Sequence, residues 1–113
     1  TDTDNLNVVA FEKETMDKLG LIPEIAPRYR ATYFSHIIGG YAAGYYSYLW
    51  AEVLDTDAFE AFKEHGVFDK NTADSFRKNI LEKGGTEDPM TLYRGFRGAD
   101  PSLEPLLKNR GLK

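Results

Sequence analysis

The sequence predicts an all-α fold, a small helical array of about six short helices. Three observations carry this. Apolar residues recur three and four positions apart in several stretches. Capping and stop residues punctuate those stretches. No alternating apolar–polar run of useful length is present to make a strand, and no internal repeat is visible. At 113 residues and 12.8 kDa the chain is one small domain, able to bury about two-thirds of the surface its unfolded form exposes.

Val8 to Leu19 reads as the first helix, with Val8, Phe11, Thr15 and Leu19 on one spacing and Val9, Ala10 and Met16 beside them. Asn7 is the expected N-cap and Gly20 the expected C′ residue. Leu21 to Arg28 carries Pro23 and Pro27 and is expected to be extended, because each proline turns its predecessor away from the helical region. Ala31 to Ile38 reads as a short helix stopped by Gly39-Gly40, a pair that permits positive φ and close backbone approach. Tyr41 to Leu54 reads as a helix that is apolar or aromatic on nearly every side, with Glu52 its one charge. Asp55 or Thr56 is expected to cap a further amphipathic stretch through Ala58, Phe59 and Phe62, ending at Gly66. Asn71 to Lys83 is expected to turn Ala73, Phe76, Ile80 and Leu81 inward. A helix begins at Asp88-Pro89 with Met90, Leu92, Tyr93 and Phe96 inward, proline suiting the first helical position. A last one follows Ser102, with Pro105 still in the tolerant first turn and Gly111 as its end.

Composition excludes several classes. Eighteen Asp and Glu oppose 14 Lys and Arg, for a net charge of −4, and an acidic chain argues against a nucleic-acid partner. With no cysteine there is no disulfide framework, thiolate zinc site or cysteine nucleophile. A chain without cysteine suits the cytoplasm, with a periplasm as the open alternative. No apolar run approaches the roughly 18 residues that a membrane span needs, so no membrane partner is expected. The opening Thr1-Asp2-Thr3-Asp4 lacks an initiator Met, a basic n-region and an apolar h-region, and is expected to be a cut inside a longer chain. The Tyr41–Leu54 stretch points the same way. A helix apolar all round belongs inside a larger protein, and 113 residues leave little to cover it. Left bare, it is expected to drive self-association of the fragment.

Of the two histidines, neither stands in H-E-x-x-H spacing, and His65 before Gly66 suits a helix C-terminus electrostatically. Ser35 and Ser47 lack a nucleophile elbow, and the glycines form no phosphate loop. The informative run is Phe34 to Trp50, FSHIIGGYAAGYYSYLW. An aromatic stripe at helical spacing is ordinarily core packing. At 100° per residue Tyr41, Tyr45 and Tyr48 fall within about 60° of one another, with Tyr46 turned away. A buried phenol needs a partner, so tyrosine where phenylalanine would pack equally well points instead to hydroxyls in use. The Gly39-Gly40 pair places His36 and the tyrosines around one loop able to close over a ligand.

This run, with AEVLDTDAFEAF (Ala51 to Phe62), GGTEDPM (Gly84 to Met90), FRG (Phe96 to Gly98) and RGL (Arg110 to Leu112), resembles the C-terminal segment of the thimet oligopeptidase family of zinc metallopeptidases. The likeness covers nearly the whole chain. It implies that residues 1–113 are the C-terminal part of a peptidase catalytic domain, with zinc held by upstream H-E-x-x-H residues and a further Glu. The fragment alone is therefore expected to bind no metal and to be inactive. The resemblance further implies that His36 and Tyr48 donate hydrogen bonds to the substrate carbonyl or the developing oxyanion. It implies that Tyr41 and Tyr45 touch the substrate backbone, and that Gly39 and Gly40 form a flexible loop. Short peptides are the implied substrates. Ala42-Ala43-Gly44, Asp88-Pro89 and the RGL ending lean toward a peptidyl-dipeptidase, which releases C-terminal dipeptides. An endo-acting oligopeptidase of the same family is one alternative, and a free-standing helical binding module is the other.

Overall fold

The computed structural model describes residues 3–113; Thr1 and Asp2, the first half of the Thr1-Asp2-Thr3-Asp4 opening expected to mark a cut inside a longer chain, lie outside the described residues. The chain divides into two units, Thr1–Tyr45 and Tyr46–Lys113. Every element among the described residues is helical, in keeping with the all-α expectation.

In the first unit, α1 spans Val8–Lys18. Its start follows the expected chemistry: the Asn7 side chain accepts from the Ala10 amide at 3.1 Å, satisfying a donor that has no partner within the helix. Beyond Leu19, Gly20 stands at φ 67°, the left-handed conformation that glycine adopts at least cost. The proline-bearing connector is non-helical, as expected. Helix α2 covers only Ser35–Ile38, because residues 31–33 form a turn closed by the Tyr33 amide on the Arg30 carbonyl. Gly39 is its C-cap, donating to the Ser35 carbonyl at 2.9 Å, and a Cβ there would stand 3.3 Å from that oxygen of its own turn. The expected positive φ is not at the glycine pair. It falls on Ala42, at 45°, where a side chain makes it uncommon. None of residues 3–45 is fully buried.

The continuous helix expected over Tyr41–Leu54 is corrected. A 3₁₀ helix spans Ala42–Tyr46, and the second unit then opens with α3, Ser47–His65. Asp55 and Thr56 are not a cap but interior to α3. The Thr56 hydroxyl donates back to the carbonyls of Glu52 (2.7 Å) and Val53 (3.2 Å), which removes the competition that makes threonine a helix starter. A common face for Tyr41, Tyr45 and Tyr48 at 100° per residue requires an unbroken α-helix, which this segment does not form.

Helix α4, Lys70–Phe76, is capped by Asp69, whose carboxylate accepts from the Thr72 amide at 2.7 Å. It runs into a π-helical turn over Arg77–Leu81. The wider turn shifts the inner face: Phe76 and Ile80 are half-buried, but Leu81 and Ala73, both expected inward, are exposed. The π turn packs against α5, Pro89–Arg97, where Gly95 lies so near Asn79 that a Cβ would stand 3.3 Å from Asn79 Oδ1. Helix α5 begins as expected, with Asp88 accepting from the Thr91 amide at 2.8 Å and Pro89 in the first turn. Helix α6, Glu104–Asn109, packs on α3. The core is small: Val53, Ala58, Ala61, Leu92, Tyr93 and Leu106, with the rings of Phe62, Phe76 and Phe96 in mutual contact beside it.

Cross-helix ion pairs border this core, among them Arg110 with Glu52 and Arg97 with Glu64, the latter bidentate at 2.7 and 3.0 Å. Inside it, Asp57 is 4% exposed and accepts from the Tyr93 hydroxyl at 2.5 Å. Burial first, then that bond and the carboxylate charge, push the Tyr93 phenol well above its ordinary range.

Candidate functional site

The first unit gathers most of the singled-out residues. His36, on the short α2, has its ring centre 5.1 Å from Tyr45 and 5.8 Å from Tyr41, and the two tyrosine rings meet edge-on at 5.8 Å. The fold reaches this by a turn rather than by a helix face. Gly39 and Gly40 end α2, the chain reverses through Tyr41 and Ala42, and the 3₁₀ helix brings Tyr45 back over His36.

Phe34 supports the cluster from within, 4.8 Å from Tyr45 and 5.8 Å from His36, and Tyr29 stacks on it at 5.3 Å. These two were not among the expected site residues. The signal available was the aromatic density of Tyr29, Tyr33 and Phe34 just before His36. Edge-to-face contacts of this kind fix ring directions and add stabilisation beyond area burial. Tyr41 is 41% exposed and His36 is exposed, so both rings reach the surface from an aromatic base.

Beside the rings lies an open cleft of about 400 Å³, lined in part by Glu12, Arg28, Phe34, Ile37 and Tyr45. Glu12 joins α1 to the loop before α2. Its carboxylate accepts from Arg30 Nε at 2.8 Å and from the Ala31 amide at 3.1 Å. Tyr48 lies elsewhere in the division of the chain, in the first turn of α3, and is 58% exposed in a row with Tyr46 (71%), Leu49 and Trp50. The apolar exposure expected around this stretch is present.

The groups so assembled are hydrogen-bonding side chains, an imidazole and phenols, on an aromatic surface. Such a surface suits a polar, uncharged ligand backbone. It does not suit a cation: among the described residues no group of three His, Asp or Glu side chains could hold a metal ion. No helix among them is long and apolar enough to cross a membrane.

Comparison with known proteins supplies the class. The profile of Peptidase family M3 matches residues 1–112, and the chain belongs to that family. Its relatives there include oligopeptidase A of Escherichia coli (strain K12), 57% identical over 81 residues, which are 71% of this chain and 12% of that protein. Dipeptidyl carboxypeptidase of the same strain is 45% identical over 112 residues, 98% of this chain and 16% of that protein. A thimet-like oligopeptidase of Dictyostelium discoideum is 38% identical over 79 residues, 70% of this chain. The chain thus spans 12–16% of the length of these relatives. Peptidase family M3 is a family of zinc metallopeptidases, and the described residues do not fit that metal's site.

Proposed function

We propose that this chain is the substrate-binding, C-terminal portion of a zinc peptidyl-dipeptidase, which removes dipeptides from the C-termini of short peptides. The observation that carries the reading is the surface-exposed His36–Tyr41–Tyr45 ring cluster in a chain of Peptidase family M3. In this reading zinc is bound by residues outside the described set and supplies the activated water. The residues of this chain bind and orient. His36 and Tyr48 donate to the scissile carbonyl oxygen as negative charge develops on it, a contact stronger in the transition state than in the ground state. Tyr41 and Tyr45 hold the peptide backbone, and Gly39-Gly40 lets the loop close on it. The chain on its own is inactive, and the enzyme works in the cytoplasm.

The test is steady-state kinetics of the full-length enzyme. Tyr48→Phe keeps the ring and removes one donor, with an expected loss on the order of 10²–10³ in kcat, little change in KM and unchanged zinc content. Tyr46→Phe, outside the ring cluster, is expected to be nearly silent. Wild-type kcat in Tyr48→Phe, or equal losses in both variants, overturns the assignment.

An endo-acting oligopeptidase is the second reading, favoured by the 57% identity to oligopeptidase A. The 98% coverage by dipeptidyl carboxypeptidase favours the first. Profiling cleavage positions across peptides of increasing length separates them. Family membership favours both over a free-standing binding module.

A further inference from the structure

We propose that Arg28 holds the C-terminal carboxylate of the peptide substrate and so sets the enzyme's register on the chain end. This rests on the peptidyl-dipeptidase reading and names the group that would make it exo-acting.

The first observation is charge accounting. The chain has six arginines. Five are committed to carboxylates: Arg30 to Glu12, Arg77 to Glu82, Arg94 to Asp100, Arg97 to Glu64 and Arg110 to Glu52. Arg28 has no ion-pair partner among the described residues, although Glu12 lines the same cleft. Both Glu12 oxygens are already taken, one by the Arg30 guanidinium and the other by the Ala31 amide. The cleft wall therefore keeps one uncompensated positive charge.

The second observation is posture. The Arg28 guanidinium carbon lies 5.3 Å from the centre of the Tyr29 ring. Resting on an aromatic ring costs a guanidinium less than it would a strongly hydrated ammonium. Its in-plane N–H groups stay available for a two-point contact with a carboxylate. A ring support also limits the side-chain freedom that binding would otherwise have to remove.

The third is reach. From Arg28, contacts run through Tyr29 and Phe34 to Tyr45 in three steps of 4.8–5.3 Å each. An extended dipeptide spans about 7 Å, with hydrogen bonds of about 3 Å at either end. The path sets the upper limit of the Arg28–Tyr45 separation, and a dipeptide with its two end contacts is no longer than that limit.

The experiment uses the full-length enzyme and one short peptide made as the free acid and as the C-terminal amide, with kcat/KM measured for each. Wild type is expected to prefer the acid by at least 10-fold. Arg28→Gln is expected to lower kcat/KM for the acid by on the order of 10–100-fold while leaving the amide unchanged, so that the preference collapses. Arg28→Lys, which keeps the charge but not the two-point geometry, should retain part of it. The unchanged amide rate serves as the check that the variant is folded. If wild type cleaves acid and amide equally, the peptidyl-dipeptidase reading itself fails. If wild type prefers the acid and Arg28→Gln keeps that preference, the reading stands and the Arg28 assignment is overturned. Equal losses on acid and amide also overturn it, since they mark a structural role.

Discussion

Tyr93→Phe probes a short polar contact inside the core of residues 46–113. The substitution keeps the ring, which is 5% exposed and packs α5 onto α3, and removes the hydroxyl that donates to Asp57. What it leaves behind sets the magnitude. Asp57 is buried, and its other polar neighbour is Arg97, whose Nε stands 3.5 Å from the carboxylate without a hydrogen bond. Arg97 cannot swing over to compensate, because both its terminal nitrogens are engaged by Glu64. A hydrogen bond to a charged group contributes about 1.5–3 kcal/mol. For a unit of this size about 2 kcal/mol corresponds to a fall in Tm of roughly 10 °C. Asp57→Ala is expected to cost about 3 kcal/mol, since it strands the phenol and opens a small void. The double variant should cost at least about 1 kcal/mol less than the two singles together, because each single already breaks the same bond. The assay is urea unfolding followed by circular dichroism at pH 7, repeated at rising pH. The folded-state pKa of Tyr93 is raised, so its contribution is full below the ordinary tyrosine value near 10 and is lost as pH climbs beyond it. Parent protein should therefore lose stability above about pH 10, and Tyr93→Phe should lose less of its own. A Tyr93→Phe variant within about 0.5 kcal/mol of the parent, or strict additivity in the cycle, would refute the reasoning.

The acid side has the opposite sign. Hydrogen bonds from Arg110 and Arg97 hold Glu52 and Glu64 below the usual carboxylate range, and the Thr72 and Thr91 amides do the same for the caps Asp69 and Asp88. Lowered folded-state values stabilise above the unfolded carboxylate pKa and lose that contribution as pH falls through them. Stability should therefore drop below about pH 4, with a shallower slope in Glu64→Gln and a smaller drop at high salt. The isolated chain should also self-associate and bind a hydrophobic dye through Tyr46, Tyr48, Leu49 and Trp50, all exposed. Sedimentation checks this, and replacing Leu49 and Trp50 with polar residues should shift the equilibrium toward monomer.

What the sequence alone determined is what local physics decides. The ends of α1 and α5 were legible because Asn7, Asp88 and Pro89 act within three residues of themselves, and a cap does not depend on what lies across the core. The run from Phe34 to Trp50 was legible as a candidate site because His36, the glycine pair and the tyrosines are close in sequence. The features that depend on distant partners were not. Asp57 resembles one more surface acid of an amphipathic helix until Tyr93, 36 positions on, closes over it. The π turn at Arg77–Leu81 sits against α5, and it turned Leu81 outward against its own hydrophobicity. At α-helical spacing the tyrosines would form one row, yet a positive φ at Ala42 and a 3₁₀ helix gave His36, Tyr41 and Tyr45 a different common ground. Arg28 and Arg30 look alike in the sequence. Only the fold, by bringing Glu12 of α1 to one of them, decided which guanidinium was neutralised and which was left in the cleft.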